Sequence, residues 1–161
     1  MRYQMKQKLW SLGNDFAIKD GDGNDVFIVD GKAFSLGDKL AFRDLAGHEL
    51  TYISQKLMSF KKRYEIYRNG KLFAEVSKEF TFFKEQYTVD IPGPNDYEVA
   101  GDFWNHEYRF IRSGRDVAHV SKVWFSLADT YGIDIVDGED DITILATAVV
   151  IDLVNQHERS K

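Results

Sequence analysis

The chain has 161 residues, a formal net charge of −5 and no cysteine. Its length suits one domain, and 43% hydrophobic residues suit a packed core rather than a disordered segment. The acidic balance is against general nucleic-acid binding, and the lack of cysteine excludes disulfides, thiolate metal sites and a cysteine nucleophile. The longest apolar run, residues 142–154, is shorter than the roughly 20 residues that a membrane-spanning helix needs. We therefore expect a cytoplasmic protein without a transmembrane segment or a signal peptide.

Residues 3–136 form a series of short alternating apolar runs separated by turn signals. The acidic turn 20–25 separates the runs 16–19 and 26–29, and Asn69-Gly70 separates 64–68 from 72–76. Asn-Gly between alternating runs indicates a tight hairpin, because both central residues need a positive φ. The pattern predicts antiparallel strands in a sandwich or barrel.

One hairpin unit is repeated within this pattern. Residues 64–78 align without a gap on residues 108–122, and residues 44–56 resemble a weaker third copy. Strand alternation predicts which side chains of the two copies face inward: Tyr64, Ile66, Ala74, Val76, Tyr108, Phe110, Ala118 and Val120. The alanine at the same inward position in both copies leaves room for a bulky neighbouring element.

That neighbouring element is predicted to be a single C-terminal helix over about residues 139–156. The acidic residues of 137–141 suit a helix N-terminus, and the apolar residues that follow occupy every helical face, as in a buried helix. The many β-branched residues leave a final strand as the alternative. No linker divides the chain, so residues 1–161 are predicted to be one mainly β domain.

Several short motifs, together with the closing apolar helix, carry a family resemblance: Phe34-Ser-Leu-Gly-Asp-Lys-Leu, Asp44-x-x-Gly47, Tyr64-x-Ile66, Ala74-x-Val76-x-Lys78, Val117-Ala-His-Val-Ser-Lys and Trp124-x-x-x-x-Asp129-Thr-Tyr131. The chain resembles the LURP-one-related family, which groups with the tubby C-terminal domain and the phospholipid scramblases. The resemblance implies a closed antiparallel barrel of about twelve strands around a buried C-terminal helix. Tubby-like domains bind phosphoinositide headgroups through basic side chains, so it also implies an anionic phospholipid ligand.

Neither a metal site nor a catalytic constellation is predicted. The turn 20–25 has neither the glycine nor the glutamate spacing of a calcium loop, so it is expected to be a hairpin turn. The four histidines form no zinc-ligand pattern and are expected at the surface. The sequence contains no Gly-x-Ser-x-Gly elbow and no phosphate-binding glycine loop, and no cofactor is expected.

Basic residues near the two repeated hairpins are the candidate ligand-binding residues for an anionic headgroup: Lys61, Lys62, Arg63, Arg68, Lys71, Arg109, Arg112 and Arg115. The alternative is that these side chains protect exposed sheet edges from pairing with other molecules.

The first functional hypothesis is a non-enzymatic binding module for an anionic phospholipid headgroup or a similar phosphate ligand, peripheral at a membrane. The second is an interaction or structural domain that binds a protein partner or a second copy through a sheet edge or through the aromatic segments 80–83 and Phe103-Trp104. The third, an enzyme acting on lipid or phosphate esters, is disfavoured because a barrel filled by its own helix leaves little room for substrate.

Overall fold

The computed structural model describes residues 1–6, 15–31, 37–80, 84–125 and 129–159, except for the side chain of Arg159. These ranges contain twelve strands and one helix. They are β1 (Arg2–Lys6), β2 (Phe16–Asp20), β3 (Asp25–Gly31), β4 (Lys39–Asp44), β5 (Glu49–Gln55), β6 (Arg63–Arg68), β7 (Lys71–Phe80), β8 (Glu85–Asp90), β9 (Tyr97–Asp102), β10 (Glu107–Arg112), β11 (Arg115–Ser121), β12 (Thr130–Ile135) and α1 (Asp141–Arg159).

The twelve strands form one closed antiparallel barrel. Each strand pairs with its neighbours in the chain, and β12 pairs with β1 to close the circle. The predicted fold class is confirmed. Because every described strand has a neighbour on both sides, the idea that basic side chains protect exposed sheet edges is wrong.

The two ends of the barrel differ in their connections. One end, here called the turn end, carries the connections after β2, β4, β6, β8 and β10 and the start of α1. The opposite end, here called the loop end, carries the connections after β1, β3, β5, β7, β9 and β11 and the end of α1. The two ends therefore present different side chains to their surroundings.

The repeated hairpins share a structural device as well as a sequence. Asn69 and Ser113 adopt positive φ angles of 52° and 51° in the two turns, as the tight hairpin requires. The strand register shifts at one place in each hairpin, after Ile66 and after Phe110. The β2–β3 and β4–β5 pairs carry the same kind of shift. Such bulges increase the local twist and help a sheet to close.

Helix α1 runs through the barrel, and its apolar side chains form the central part of the hydrophobic core. The predicted inward side chains of both hairpin copies are buried, and the apolar side chains of α1 pack against them. The buried apolar residues of the helix are Ile144, Leu145, Ala146, Ala148, Val149, Val150, Ile151, Leu153 and Val154. The final-strand alternative is therefore wrong.

The helix begins two residues later and ends three residues later than predicted. Asp140 lies outside the first turn because it acts as the N-cap: its Oδ1 accepts a hydrogen bond from the Thr143 N–H at 3.2 Å. At the other end, polar contacts extend the helix to the loop end of the barrel. Asn155 donates to the carbonyl of Phe103 at 3.0 Å, and Glu158 accepts from the buried Lys78 ammonium at 2.5 Å.

Two equivalent arginines of the repeat hold the beginning of the helix. Arg68 bonds the Asp140 carboxylate at 2.7 and 2.8 Å, and Arg112 bonds Glu139 at 2.7 Å. Tyr3 donates to Asp141 from a third strand at 2.5 Å. These contacts fix the helix N-terminus in the mouth of the turn end.

The Arg68–Asp140 contact predicts a defined acid dependence of stability. Burial raises the pKa of Asp140, but bonds from Arg68 and Thr143 outweigh it and hold the pKa below the ordinary value of 3.8. A depressed pKa in the folded state contributes stability above the unfolded pKa, and this contribution is lost as pH falls through the folded pKa. Urea unfolding from pH 5 to pH 2.5 should show a smaller acid loss in Arg68→Met than in wild type. An equal loss in both proteins would contradict this assignment.

One histidine does not lie at the surface. His106 is 2% exposed, stacks on Tyr131 and bonds the buried Asp152 carboxylate through Nε2 at 2.7 Å. The surface prediction fits His48 and His119 but is wrong for His106. The reason is that the chain turns inward there with a positive φ of 54°, so that the imidazole meets a carboxylate carried by the central helix.

Candidate functional site

The eight basic residues predicted as one ligand site are divided between the two ends of the barrel. Arg68, Lys71, Arg112 and Arg115 lie at the turn end, whereas Lys61, Lys62 and Arg63 lie at the loop end. Arg109 lies on the outer wall, 3.4 Å from Asp116. The structure therefore does not bring the eight residues together.

The two turn-end arginines with partly buried partners, Arg68 and Arg112, are structural. Arg68 and Arg112 are occupied by the carboxylates at the start of α1 and also lie over the rings of Phe73 and Tyr97. Lys71 and Arg115 are exposed and lie at the same end of the barrel as the acidic turns.

The acidic turn 20–25 is a hairpin turn, as predicted. Asp20 Oδ1 accepts the backbone N–H groups of Asp22 and Asn24 at 2.9 and 3.0 Å, and such bonds lower the pKa of Asp20. Asp44 uses the same arrangement with the N–H of His48 at 2.9 Å. Within the described residues no cluster of three histidine or acidic side chains has the geometry of a metal site.

The loop-end cations Lys61, Lys62 and Arg63 lie in or directly after the connection between β5 and β6. This connection, residues 56–62, is here called the β5–β6 loop. Its base is closed by a hydrogen bond of 2.8 Å from the Lys56 N–H to the Arg63 carbonyl. Lys61 crosses to β7 and bonds both carboxylate oxygens of Glu79 at 2.7 and 2.8 Å. These contacts give the loop a fixed base on the rim of the barrel.

The tip of the β5–β6 loop is apolar and exposed. Met58 is 94% exposed, Phe60 is fully exposed and Leu57 is half exposed. On the neighbouring strand Phe80 is 68% exposed. Sequence reasoning missed this tip, although the run Leu57-Met-Ser-Phe60 between lysines was a visible signal. Four large apolar side chains are therefore exposed on one rim of the barrel, and exposed apolar surface of this kind can mark a membrane or protein contact.

Gly37 supports the orientation of the tip from the preceding loop. Its φ is +77°, and a Cβ added there would lie 2.8 Å from Leu57 Cδ2. We expect Gly37→Ala to cost about 1–2 kcal/mol in the free energy of unfolding, because a non-glycine residue is strained at this angle. Gly47→Ala is the matched control, since its φ is +91° and an added Cβ there would meet nothing within 4 Å. Urea unfolding that gives equal costs for the two variants would refute the packing role of Gly37.

The charges around the β5–β6 loop leave a local positive excess. Three cations, Lys56, Lys61 and Arg63, pair with two carboxylates, Glu75 and Glu79, and Lys62 is a fourth cation beside them. Among the described residues, no hydrogen bond or ion pair engages the Lys62 ammonium, although its backbone carbonyl accepts the Lys78 N–H at 2.9 Å. Lys62 is therefore the cation of this cluster that is open to an external anion.

Further exposed apolar side chains lie on the same end of the barrel. Val123 is largely exposed and Trp104 is partly exposed, whereas Phe103 is buried. Residues 82 and 83 of the predicted aromatic segment, and residues 34–36 of the first family motif, lie outside the described residues. The loop end thus combines apolar tips with local positive charge.

A cavity lies in the barrel wall at strands β1 and β2, away from the β5–β6 loop. It has a volume of about 330 Å³ and lies where β1 and β2 share only two residue pairs, with Met5, Asp15, Phe16 and Thr130 among its lining residues. Burial and a hydrogen bond with Asp30 raise the pKa of Asp15, and Arg43 opposes the shift. This carboxyl pair is the feature that an enzyme would use, but Asp15 is exposed and Arg43 holds Asp30 at 2.6 Å.

Within the described ranges, α1 is too short in its apolar stretch to cross a bilayer, and no other helix is present there to do so.

Comparisons with known proteins agree with this architecture. The family model described as LURP-one-related matches residues 1–152. A Bacillus subtilis (strain 168) protein, Uncharacterized protein YxjI, is 41% identical over 150 residues, which cover 93% of this chain and 91% of the relative. The Arabidopsis thaliana Protein LURP-one-related 14 is 22% identical over 92% of this chain and 81% of its own.

A solved structure shows the same fold. The X-ray structure of an Arabidopsis thaliana protein superposes with a TM-score of 0.69 and 20% identity, covering 96% of this chain and 91% of the other. The twelve-stranded barrel around one helix and the family match over almost the whole length lead to one conclusion: this chain belongs to the LURP-one-related family.

Proposed function

We propose that this chain is a non-enzymatic module that docks on an anionic membrane surface through its β5–β6 loop. The observation that carries the proposal is the exposed apolar tip of Leu57, Met58 and Phe60 directly beside the cationic cluster. The apolar side chains enter the headgroup region, while Lys62 meets lipid phosphates.

The free energies expected from these side chains suit reversible membrane binding. Removing a Leu, Met or Phe side chain from water is worth about 1.5–3 kcal/mol when burial is complete. A lysine or arginine near an anionic leaflet adds about 1 kcal/mol. Stable membrane association takes two such signals together, and the β5–β6 loop offers both.

The rest of the charge distribution supports one orientation of the barrel. Acidic side chains gather on the turns of the turn end: Asp20, Asp22, Asp25, Asp44, Asp116, Asp137 and Glu139. When the loop end contacts an anionic surface, these carboxylates point away from it. The net charge of −5 therefore does not oppose docking in this orientation.

The test is co-sedimentation of the full chain with neutral and anionic vesicles, the latter containing phosphatidylserine, at low and near-physiological salt. Wild type should bind the anionic vesicles and lose affinity as salt rises. Met58→Ser/Phe60→Ser should bind at least tenfold more weakly, and Lys62→Glu should weaken binding and reduce its salt dependence. Lys61 and Arg63 are left unchanged because reversing their charge would set them against Glu79 and Glu75.

Matched controls lie at the turn end. Leu45 and Leu72 are exposed apolar residues there, and Lys71 and Arg115 are exposed cations. Leu45→Ser/Leu72→Ser and Lys71→Glu/Arg115→Glu should bind vesicles like wild type. If wild type binds neither kind of vesicle, the membrane proposal is wrong. A stable self-complex in sedimentation velocity that Phe60→Ser dissolves would favour the protein-interaction alternative instead.

A further inference from the structure

The chain carries one reactive side chain at the point where the proposed membrane contact is made. It has three methionines and no cysteine. Met5 is buried at 1% exposure, and Met1 lies at the turn end. Met58, at 94% exposure, occupies the tip of the β5–β6 loop. A peroxide in solution therefore has direct access to the Met58 thioether.

We propose that Met58 is an oxidation site at which a hydroperoxide weakens membrane docking. The inference rests on the proposed function of the same loop. The thioether sulfur attacks the distal peroxide oxygen, an S–O bond forms and the O–O bond breaks. The sulfur is oxidised by two electrons to the sulfoxide, and hydrogen peroxide is reduced to water.

Oxidation changes the hydrophobic contribution that drives insertion of the loop tip into the lipid layer. Methionine sulfoxide is polar and forms hydrogen bonds with water, so its transfer into an apolar layer is disfavoured where methionine was favoured. The cationic cluster is unaltered, which leaves electrostatic attraction in place. We expect oxidised protein to bind anionic vesicles about tenfold more weakly while keeping its salt dependence.

The structure also predicts which methionine reacts first. Because Met5 packs inside the barrel beside the Tyr131 hydroxyl, its sulfur is shielded from solvent. Peptide mapping after limited hydrogen peroxide treatment should place sulfoxide on Met58 long before Met5. Met58→Leu keeps an apolar tip without a reactive sulfur, and Met1→Leu controls for the exposed N-terminal methionine.

The experiment measures vesicle co-sedimentation of wild type, Met58→Leu and Met1→Leu before and after peroxide, and after repair by methionine sulfoxide reductases. Wild type and Met1→Leu should lose binding on oxidation and regain it on repair, while Met58→Leu should be unaffected. Equal binding of Met58-oxidised and reduced wild type would overturn the inference, as would equal loss in Met58→Leu. Failure of reduced wild type to bind is a different result, because it refutes the docking proposal itself.

Discussion

A chain that ends after Gly138 is expected to lose cooperative folding altogether. The deletion removes α1, including seven large apolar side chains that the barrel wall buries. Each is worth about 1.5–3 kcal/mol, and the wall residues that pack against them lose their partners as well. Together these losses match or exceed the roughly 5–15 kcal/mol by which a typical domain is stable. The expected product is insoluble, or binds a hydrophobic dye and unfolds without a transition.

The control for this deletion keeps the helix but removes one of its anchors. Arg112→Met loses the bond to Glu139 and leaves the buried apolar face intact. It should remain folded with a lower midpoint in urea. A soluble truncated chain that unfolds cooperatively would show that the barrel does not need its central helix, and the description of the core given above would fail.

Replacing Asp152 by alanine is expected to have the largest effect of any single substitution considered. The Asp152 carboxylate is 3% exposed and is bonded by both His106 and the Tyr131 hydroxyl. Removing it takes a hydrogen-bond partner from two buried polar groups, at a cost of about 1–3 kcal/mol for each. Urea unfolding of wild type and Asp152→Ala measures the difference directly.

The companion variant replaces both partners by apolar side chains of similar shape. In His106→Phe/Asp152→Leu two of the three buried polar groups disappear together, so part of the lost stability should return, while the Tyr131 hydroxyl keeps only its contact with Met5 Sδ. A double variant that loses less free energy of unfolding than the sum of the two single variants indicates a coupled polar pair. A site that tolerates no change of packing would not show this recovery. If the double variant is as unstable as the two single variants combined, the pair is not the source of the effect.

The fold could be predicted because local and global signals agree. The alternation of Tyr64 with Ile66 and of Tyr108 with Phe110, and the Asn-Gly turn, indicated hairpins without knowledge of their partners. The small inward alanines and the all-round apolar C-terminal run indicated a helix inside a barrel. The turn spacing alone left a sandwich or a barrel open, and the number of about twelve strands came from the family resemblance, since strand pairing between distant segments leaves little trace in one sequence.

The site could be predicted only in part. The basic clusters are visible in the sequence, but which cations remain open depends on carboxylates from distant strands, such as Glu79 for Lys61. Arg68 appeared equivalent to Lys62 until α1 brought Asp140 to it across 72 positions of the chain. His106 was placed wrongly for the same reason, because Asp152 reaches it from the helix.

The most direct test of membrane docking uses the absence of cysteine in the chain. Met58→Cys and Leu45→Cys place a single thiol at the tip of the β5–β6 loop or at the turn end, and each is labelled with an environment-sensitive fluorophore. On addition of phosphatidylserine vesicles, we expect a blue-shifted, brighter emission from the label at position 58 and no change in emission from the label at position 45. An unchanged emission at position 58, or a shift at position 45 alone, would contradict membrane docking through this loop.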